Sequence, residues 1–221
     1  MKKILSPVLL LLTTLFYAQN YKNVGDFSKV TSFDKIEILL IQSSENKVIA
    51  SGNDSESVQF VNNNGELKIR MPLDKILSGE NISVKVYYKK INAIEANEGS
   101  RITAENTIKS TAFEIIAKEG SAINIDLETK KLSSKISSGA IVDLEGNTNN
   151  HDAIVNAGGI LNAKDFQTEQ TTVTCNAGGE AEVYATVYVN AKVRAGGNIM
   201  IFGNPKQIDR KTILGGSITE K

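Results

Sequence analysis

The sequence predicts an all-β protein whose larger part is a single-stranded parallel β-helix, a β-solenoid of about 19 residues per coil. Three observations predict it. A glycine recurs seven times, at Gly99, Gly120, Gly139, Gly158, Gly178, Gly196 and Gly215, with intervals of 21, 19, 19, 20, 18 and 19 residues. Polarity alternates at every second residue on both sides of that glycine, the period of a strand with one buried face. Aligned on the glycine, the apolar positions form columns that run through the repeats. One such unit cannot close a core alone, whereas copies stacked about 4.8 Å apart bury each column continuously. A propeller blade needs about 40 residues, a leucine-rich repeat its leucine ladder and a helical repeat a 3.6-residue period, and the pattern has none of these.

In chain order, residues 1–18 read as a signal peptide. Lys2 and Lys3 supply the positive start, Ile4 to Phe16 the apolar stretch, and Tyr17-Ala18-Gln19 a cleavage site after Ala18. The apolar run, about 13 residues broken by Ser6, Pro7, Thr13 and Thr14, is too short to span a bilayer. The expected mature chain has no transmembrane segment and is exported, to the periplasm, the outer surface or the medium. Residues 19–90 form an N-terminal β region without the glycine period. Its strand-like runs are 36–41, 47–50, 59–61, 67–71 and 82–88, and Asn62-Asn63-Asn64-Gly65 between two of them is a hairpin signal. This region is expected to supply irregular first coils or a β-cap that shields the end of the stack.

Residues 91–221 hold the seven repeats. The third residue after the glycine is Ile102, Ile123, Val142, Leu161, Ala181, Ile199 and Ile218, and the third before it is Ala96, Ala117, Ile136, Val155, Cys175, Val193 and Thr212. Both columns are expected to point inward, into a narrow interior of aliphatic rather than aromatic residues. The fourth residue after the glycine, Thr103, Asn124, Asp143, Asn162, Glu182, Met200 and Thr219, is polar in all but one repeat and points outward. Glycine suits the corner because a sharp bend needs a positive φ, which costs a residue with a Cβ more. Little sequence follows Gly215, so the C-terminal coil is expected to be uncapped, its strand edges open to a homodimeric or end-to-end contact.

Composition narrows the function. Lys plus Arg and Asp plus Glu each number 25, a zero net charge that removes the counterion-release drive of a nucleic-acid binder. Cys175 is the sole cysteine, so no intramolecular disulfide can form. No metal or cofactor is called for, and no Asp recurs at the offset used by calcium-binding nonapeptide repeats.

The segment 187–221, VYVNAKVRAGGNIMIFGNPKQIDRKTILGGSITEK, resembles the C-terminal signature of the head GIN-domain family, exported bacterial proteins labelled auto-transporter adhesins. The resemblance rests on Gly196-Gly197, Phe202-Gly203-Asn204-Pro205 and Gly215-Gly216-Ser217-Ile218, with Phe33-Asp34-Lys35-Ile36 and Leu67-Lys68-Ile69-Arg70 nearer the N-terminus. It implies a right-handed β-helix in a Gram-negative envelope, with adhesion as its role, and it transfers no catalytic or binding residue. The chain departs from the family at Gly99-Ser100, Gly120-Ser121 and Gly139-Ala140, where Gly-Gly is expected, and at Leu39-Leu40, where small residues are expected.

Function is therefore expected on the exposed columns. The sixth residue after the glycine is Glu105, Asp126, Glu145, Lys164, Tyr184 and Phe202, which would stack three carboxylates about 5 Å apart. Glu105, Asp126, Asp143 and Glu145 are the candidate interaction column, for a basic partner or a cation, against the plainer reading of a solvated face. Asp126 and Glu145 could also serve a glycan-active lyase or hydrolase, although Trp is absent and aromatics for sugar stacking are few. His151, the only histidine, shares a column with Phe113, Leu132, Thr171, Val189 and Ile208 and is expected to pack. Cys175 is expected to be an inert core thiol. The sequence thus points to a non-enzymatic exported envelope protein, an adhesin or scaffold for a polysaccharide or cell-surface protein. The alternative is the glycan-active enzyme using the acidic column.

Overall fold

A computed structural model describes residues 22–221, and the expected signal peptide lies outside them. The described strands join in one 19-stranded sheet that winds through about seven solenoid turns of about 19 residues.

The chain enters at β1 (Lys22–Asn23) and makes a coil from β2 (Lys29–Ser32) and β3 (Glu37–Gln42). Then come β4 (Lys47–Gly52), β5 (Gln59–Asn63), β6 (Glu66–Arg70) and β7 (Ile82–Tyr88), followed by β8 (Ala93–Ala96) and β9 (Arg101–Ala104). Spatial order is not chain order here. β2 lies between β6 and β8, and β3 between β7 and β9, all parallel. The first coil in sequence is thus second in the stack, and the coil made later by β6 and β7 lies outside it. β4 pairs antiparallel with β7, β5 with β6, and β1 with β4. The parallel stack ends where that direction reverses. The expected hairpin is β5–β6, turned by Asn64 and Gly65 at φ 51° and 82°, the left-handed pair that matches strand twist.

Asp34 ties the segment after β6 to the stack. It and Lys35 form the corner between β2 and β3 at φ 60° and 64°, and its buried carboxylate accepts the N–H groups of Met71 and Leu77, each at 2.8 Å. The segment joining β6 to β7 is held against that corner.

The regular stack continues through β10 (Ile108–Lys109), β11 (Ala112–Ala117), β12 (Ala122–Ile136), β13 (Ile141–Asn156) and β14 (Ile160–Asn176). It ends with β15 (Glu180–Tyr184), β16 (Tyr188–Arg194), β17 (Asn198–Phe202), β18 (Gln207–Ile213) and β19 (Ser217–Glu220). Register reproduces the column Ile102, Ile123, Val142, Leu161, Ala181, Ile199 and Ile218 as successive parallel partners. All but Ile218, in the terminal coil, are buried. The interior is not purely aliphatic as expected, because Phe113 and Phe166 are buried in it. Phe166 is the register partner of Gly146, where a Cβ would lie 2.4 Å from the Leu127 carbonyl oxygen of the preceding coil.

The two corner positions have different physical reasons. A Cβ on Gly120, Gly139, Gly158 or Gly178 would meet nothing within 4 Å, so the residue is glycine for its positive φ. At the next residue φ is ordinary for Gly179, but a Cβ there would lie 2.4 Å from the Val155 carbonyl oxygen of the preceding coil. Earlier in the chain this second position holds Ser100, Ser121 and Ala140, all buried. Ser100 Oγ donates to Ser32 O at 3.1 Å and Ser121 Oγ to Ala96 O at 2.8 Å. At the two serines a hydroxyl bond to the neighbouring coil thus stands where Gly179 has a close backbone approach, whereas Ala140 carries only a methyl group.

In the last coil the inward columns carry charge. Arg210 follows Ala191 in register and Glu220 follows Ile201, and the two side chains form an ion pair.

Candidate interaction surface

The candidate carboxylates are brought together only in part. β9 stops at Ala104, and Glu105 begins the connection to β10, its N–H donating to Leu40 O. The 21-residue interval between Gly99 and Gly120 is absorbed in this connection. Ile108 therefore pairs with Leu127, and it is Thr107 that reaches Asp126, its Oγ1 donating to a carboxylate oxygen. Glu105 is exposed but off the row.

Asp126 and Glu145 are register partners, both exposed. The next interval of irregular length, 20 residues from Gly158 to Gly178, is absorbed as a bulge that shifts register after Asp143. Glu145 consequently faces Asp165 and not Lys164. The row is Thr107, Asp126, Glu145 and Asp165. Asp143 belongs to the adjacent row, between Asn124 and Asn162 in register, and accepts the Asn162 side-chain amide at 2.7 Å. That second row runs on through Glu182 and Met200 to Thr219. Near its C-terminal end it lines an open groove of about 640 Å³ with Glu180 and Asn198. The intervals showed that residues were inserted, and so could have flagged Thr107 and Asp165, but not on which side of a coil.

Another outer face carries a charge network that is already satisfied. Lys68 contacts Glu66 at 3.4 Å, Glu66 contacts Lys29 at 3.3 Å, and Glu95 takes Lys29 at 2.6 Å and Lys118 at 2.9 Å. Burial alone would raise the Glu95 carboxyl. Hydrogen bonds and charge from Lys29 and Lys118 outweigh it and hold that carboxyl below the ordinary carboxylate range. These groups join β6, β2, β8 and the residue after β11, which makes them a clamp across the out-of-order coils.

The two residues expected to pack do so. His151 is buried, with Nε2 2.8 Å from Ser134 Oγ and its ring edge-on to Phe166 at 5.7 Å. Burial pushes its pKa down to about 4. The buried Cys175 thiol is pushed up to about 12 by burial and then by the charge of Glu180, far from the thiolate a nucleophile needs. Among the described residues, no group of three His, Cys, Asp or Glu could hold a metal ion, and no helix is long and apolar enough to cross a membrane.

Fold and surface define a parallel β-solenoid that displays in-register polar rows on open outer faces. The chain belongs to the family described as "Putative auto-transporter adhesin, head GIN domain", whose model matches residues 26–205. No curated protein matches it. Its fold is similar to that of a putative adhesin from Bacteroides fragilis, 19% identical over 91% of this chain and 95% of that one, with TM-score 0.84. It is also similar to a putative lipid binding protein from Parabacteroides distasonis, 19% identical over 91% and 95%, with TM-score 0.70. A putative adhesin from Parabacteroides merdae is 16% identical over 91% and 94%, with TM-score 0.70.

Proposed function

We propose that this chain is a non-enzymatic, exported envelope protein that binds an extended polymer, a polysaccharide or a cell-surface protein, along its outer polar rows. Asp126, Glu145 and Asp165 are the central contacts, with Asp143 and Asn162 beside them. The observation that carries the reading is registration. Hydrogen-bonding groups on successive coils recur at the strand spacing of about 4.8 Å, and the bulge in β14 between Asn162 and Asp165 keeps a carboxylate in the row instead of a lysine. A row of that kind suits a ligand that repeats along its length. The names of the family and of two structural neighbours point the same way. Asp126 and Glu145 are exposed on strands, outside the kind of apolar pocket that raises the pKa of a glycosidase's general acid. The leader at residues 1–18 would deliver the chain to the envelope, and the C-terminal coil is the part assigned to self-association.

The test is a glycan and surface-protein array with residues 19–221, run beside polysaccharide-cleavage and lipid-binding assays. Binding should fall at least tenfold in the Asp126→Asn/Glu145→Gln double variant while the thermal midpoint holds. Polysaccharide cleavage abolished by either single substitution would overturn the proposal in favour of an enzyme. Binding to lipid alone would overturn it too.

A further inference from the structure

We infer that β18 is a self-complementary edge that pairs antiparallel with β18 of a second copy of this chain, centred on Arg210. The inference rests on the reading that the C-terminal coil self-associates, and it specifies the strand, the register and the charges. Among the described residues β18 pairs only with β16, and β19 only with β17, which leaves a row of backbone donors and acceptors on the far side of each. The edges at the other end of the stack are less suited. β1 has two residues, and beside β5 the Asn62 side-chain amide already donates to the carbonyls of Val24 and Asp26.

A twofold antiparallel pairing about Arg210 sets Gln207 opposite Ile213, Ile208 opposite Thr212 and Asp209 opposite Lys211, each contact occurring twice. The outward faces therefore meet as two Asp209–Lys211 pairs. Competing registers are unfavourable. A one-residue slip would set inward side chains against outward ones. A two-residue slip either way would oppose Asp209 to Asp209 or Lys211 to Lys211, and like charges directly opposite destabilise a strand pair.

The surroundings of each charge agree with this register. Lys211 has no ion pair on its own chain among the described residues, and its register neighbour in the preceding coil is Lys192, so a carboxylate from a second copy relieves a like-charge contact. Asp209 is held in place by Tyr188 Oη at 2.7 Å and Gln207 Nε2 at 3.3 Å, one on each oxygen. A carboxylate has lone pairs left for a further donor. Arg210 meets its own copy on the inward side, but each guanidinium is already neutralised by its own Glu220. The half-exposed Ile208 lies on that same inward side and would be covered.

Light scattering over a concentration series, with residues 19–221 unaltered and as Asp209→Lys, Lys211→Asp and the double exchange, tests the inference. The unaltered chain should dimerise. Each single reversal should weaken the dimer about tenfold or more, and the double exchange should restore it. Lys211→Asp leaves the Tyr188 contact intact, and circular dichroism confirms that each variant folds. A monomer at every concentration would overturn both this pairing and self-association through the coil. A dimer insensitive to both single reversals would overturn the β18 register while leaving self-association standing. Failure of the double exchange to restore dimers would overturn the charge complementarity.

Discussion

Ser134 Oγ and His151 Nε2 lie 2.8 Å apart inside the solenoid, a polar contact enclosed by apolar columns. The imidazole titrates at about 4 when folded and at the ordinary value of 6.5 when exposed. Between those values the unfolded chain binds more protons than the folded one. The contribution to stability is therefore complete above pH 6.5 and is lost as the pH falls towards 4, by about 3 kcal/mol in all. Urea unfolding at several pH values should show that slope, and His151→Leu should flatten it. An unchanged slope in the variant would refute the assignment.

Glu95 acts in a lower window. Its folded carboxyl titrates below its ordinary value of 4.5, so the stability it contributes is present above 4.5 and disappears as the pH falls through the folded value. Its side chain is only 13% exposed, and Glu95→Gln should cost about 2 kcal/mol at neutral pH, the loss of charged hydrogen bonds to two lysines. Amide exchange should quicken first in β2, β6 and β8. Faster exchange confined to the C-terminal coils would contradict the clamp.

Neighbouring glycines should respond unequally to one methyl group. Gly178→Ala meets open space at φ 77° and should cost about 1 kcal/mol through backbone conformation. Gly179→Ala drives a Cβ to 2.4 Å from a backbone oxygen and should cost about 3 kcal/mol. Equal losses in urea unfolding would mean that the second glycine is not there for close approach.

Asp34→Asn sets an amide group against backbone donors that now share a carboxylate. The expected cost is about 2 kcal/mol, felt locally. Hydrogen exchange at Met71 and Leu77 should accelerate while β12 to β14 stay protected. Uniform acceleration would show instead that this corner controls the whole stack.

Much of the surface was legible in outline and wrong in detail at the insertions. Asp126 beside Glu145 follows from the uniform 19-residue spacing between Gly120 and Gly139. Glu105 and Lys164 were misplaced because an interval gives only the number of extra residues. Whether the chain absorbs them in a connection, as before Thr107, or in a bulge, as before Asp165, depends on the packing of the adjoining coil. Asp34 was visible as a motif residue, but its role depends on partners 37 and 43 residues away.

Coil length, the corners and the inward-facing side chains are all readable from the order of amino acids. Those properties are local, because glycine's φ and the two-residue alternation of a strand are set within a few bonds, and repetition turns them into columns. The order of the first coils, the carboxylates that share a row and the Arg210–Glu220 pair depend instead on long-range contacts. β6 and β7 pass outside β2 and β3, and Lys29 finds Glu95 across 66 residues. Such pairings are selected by which surfaces remain unburied once the coils have stacked.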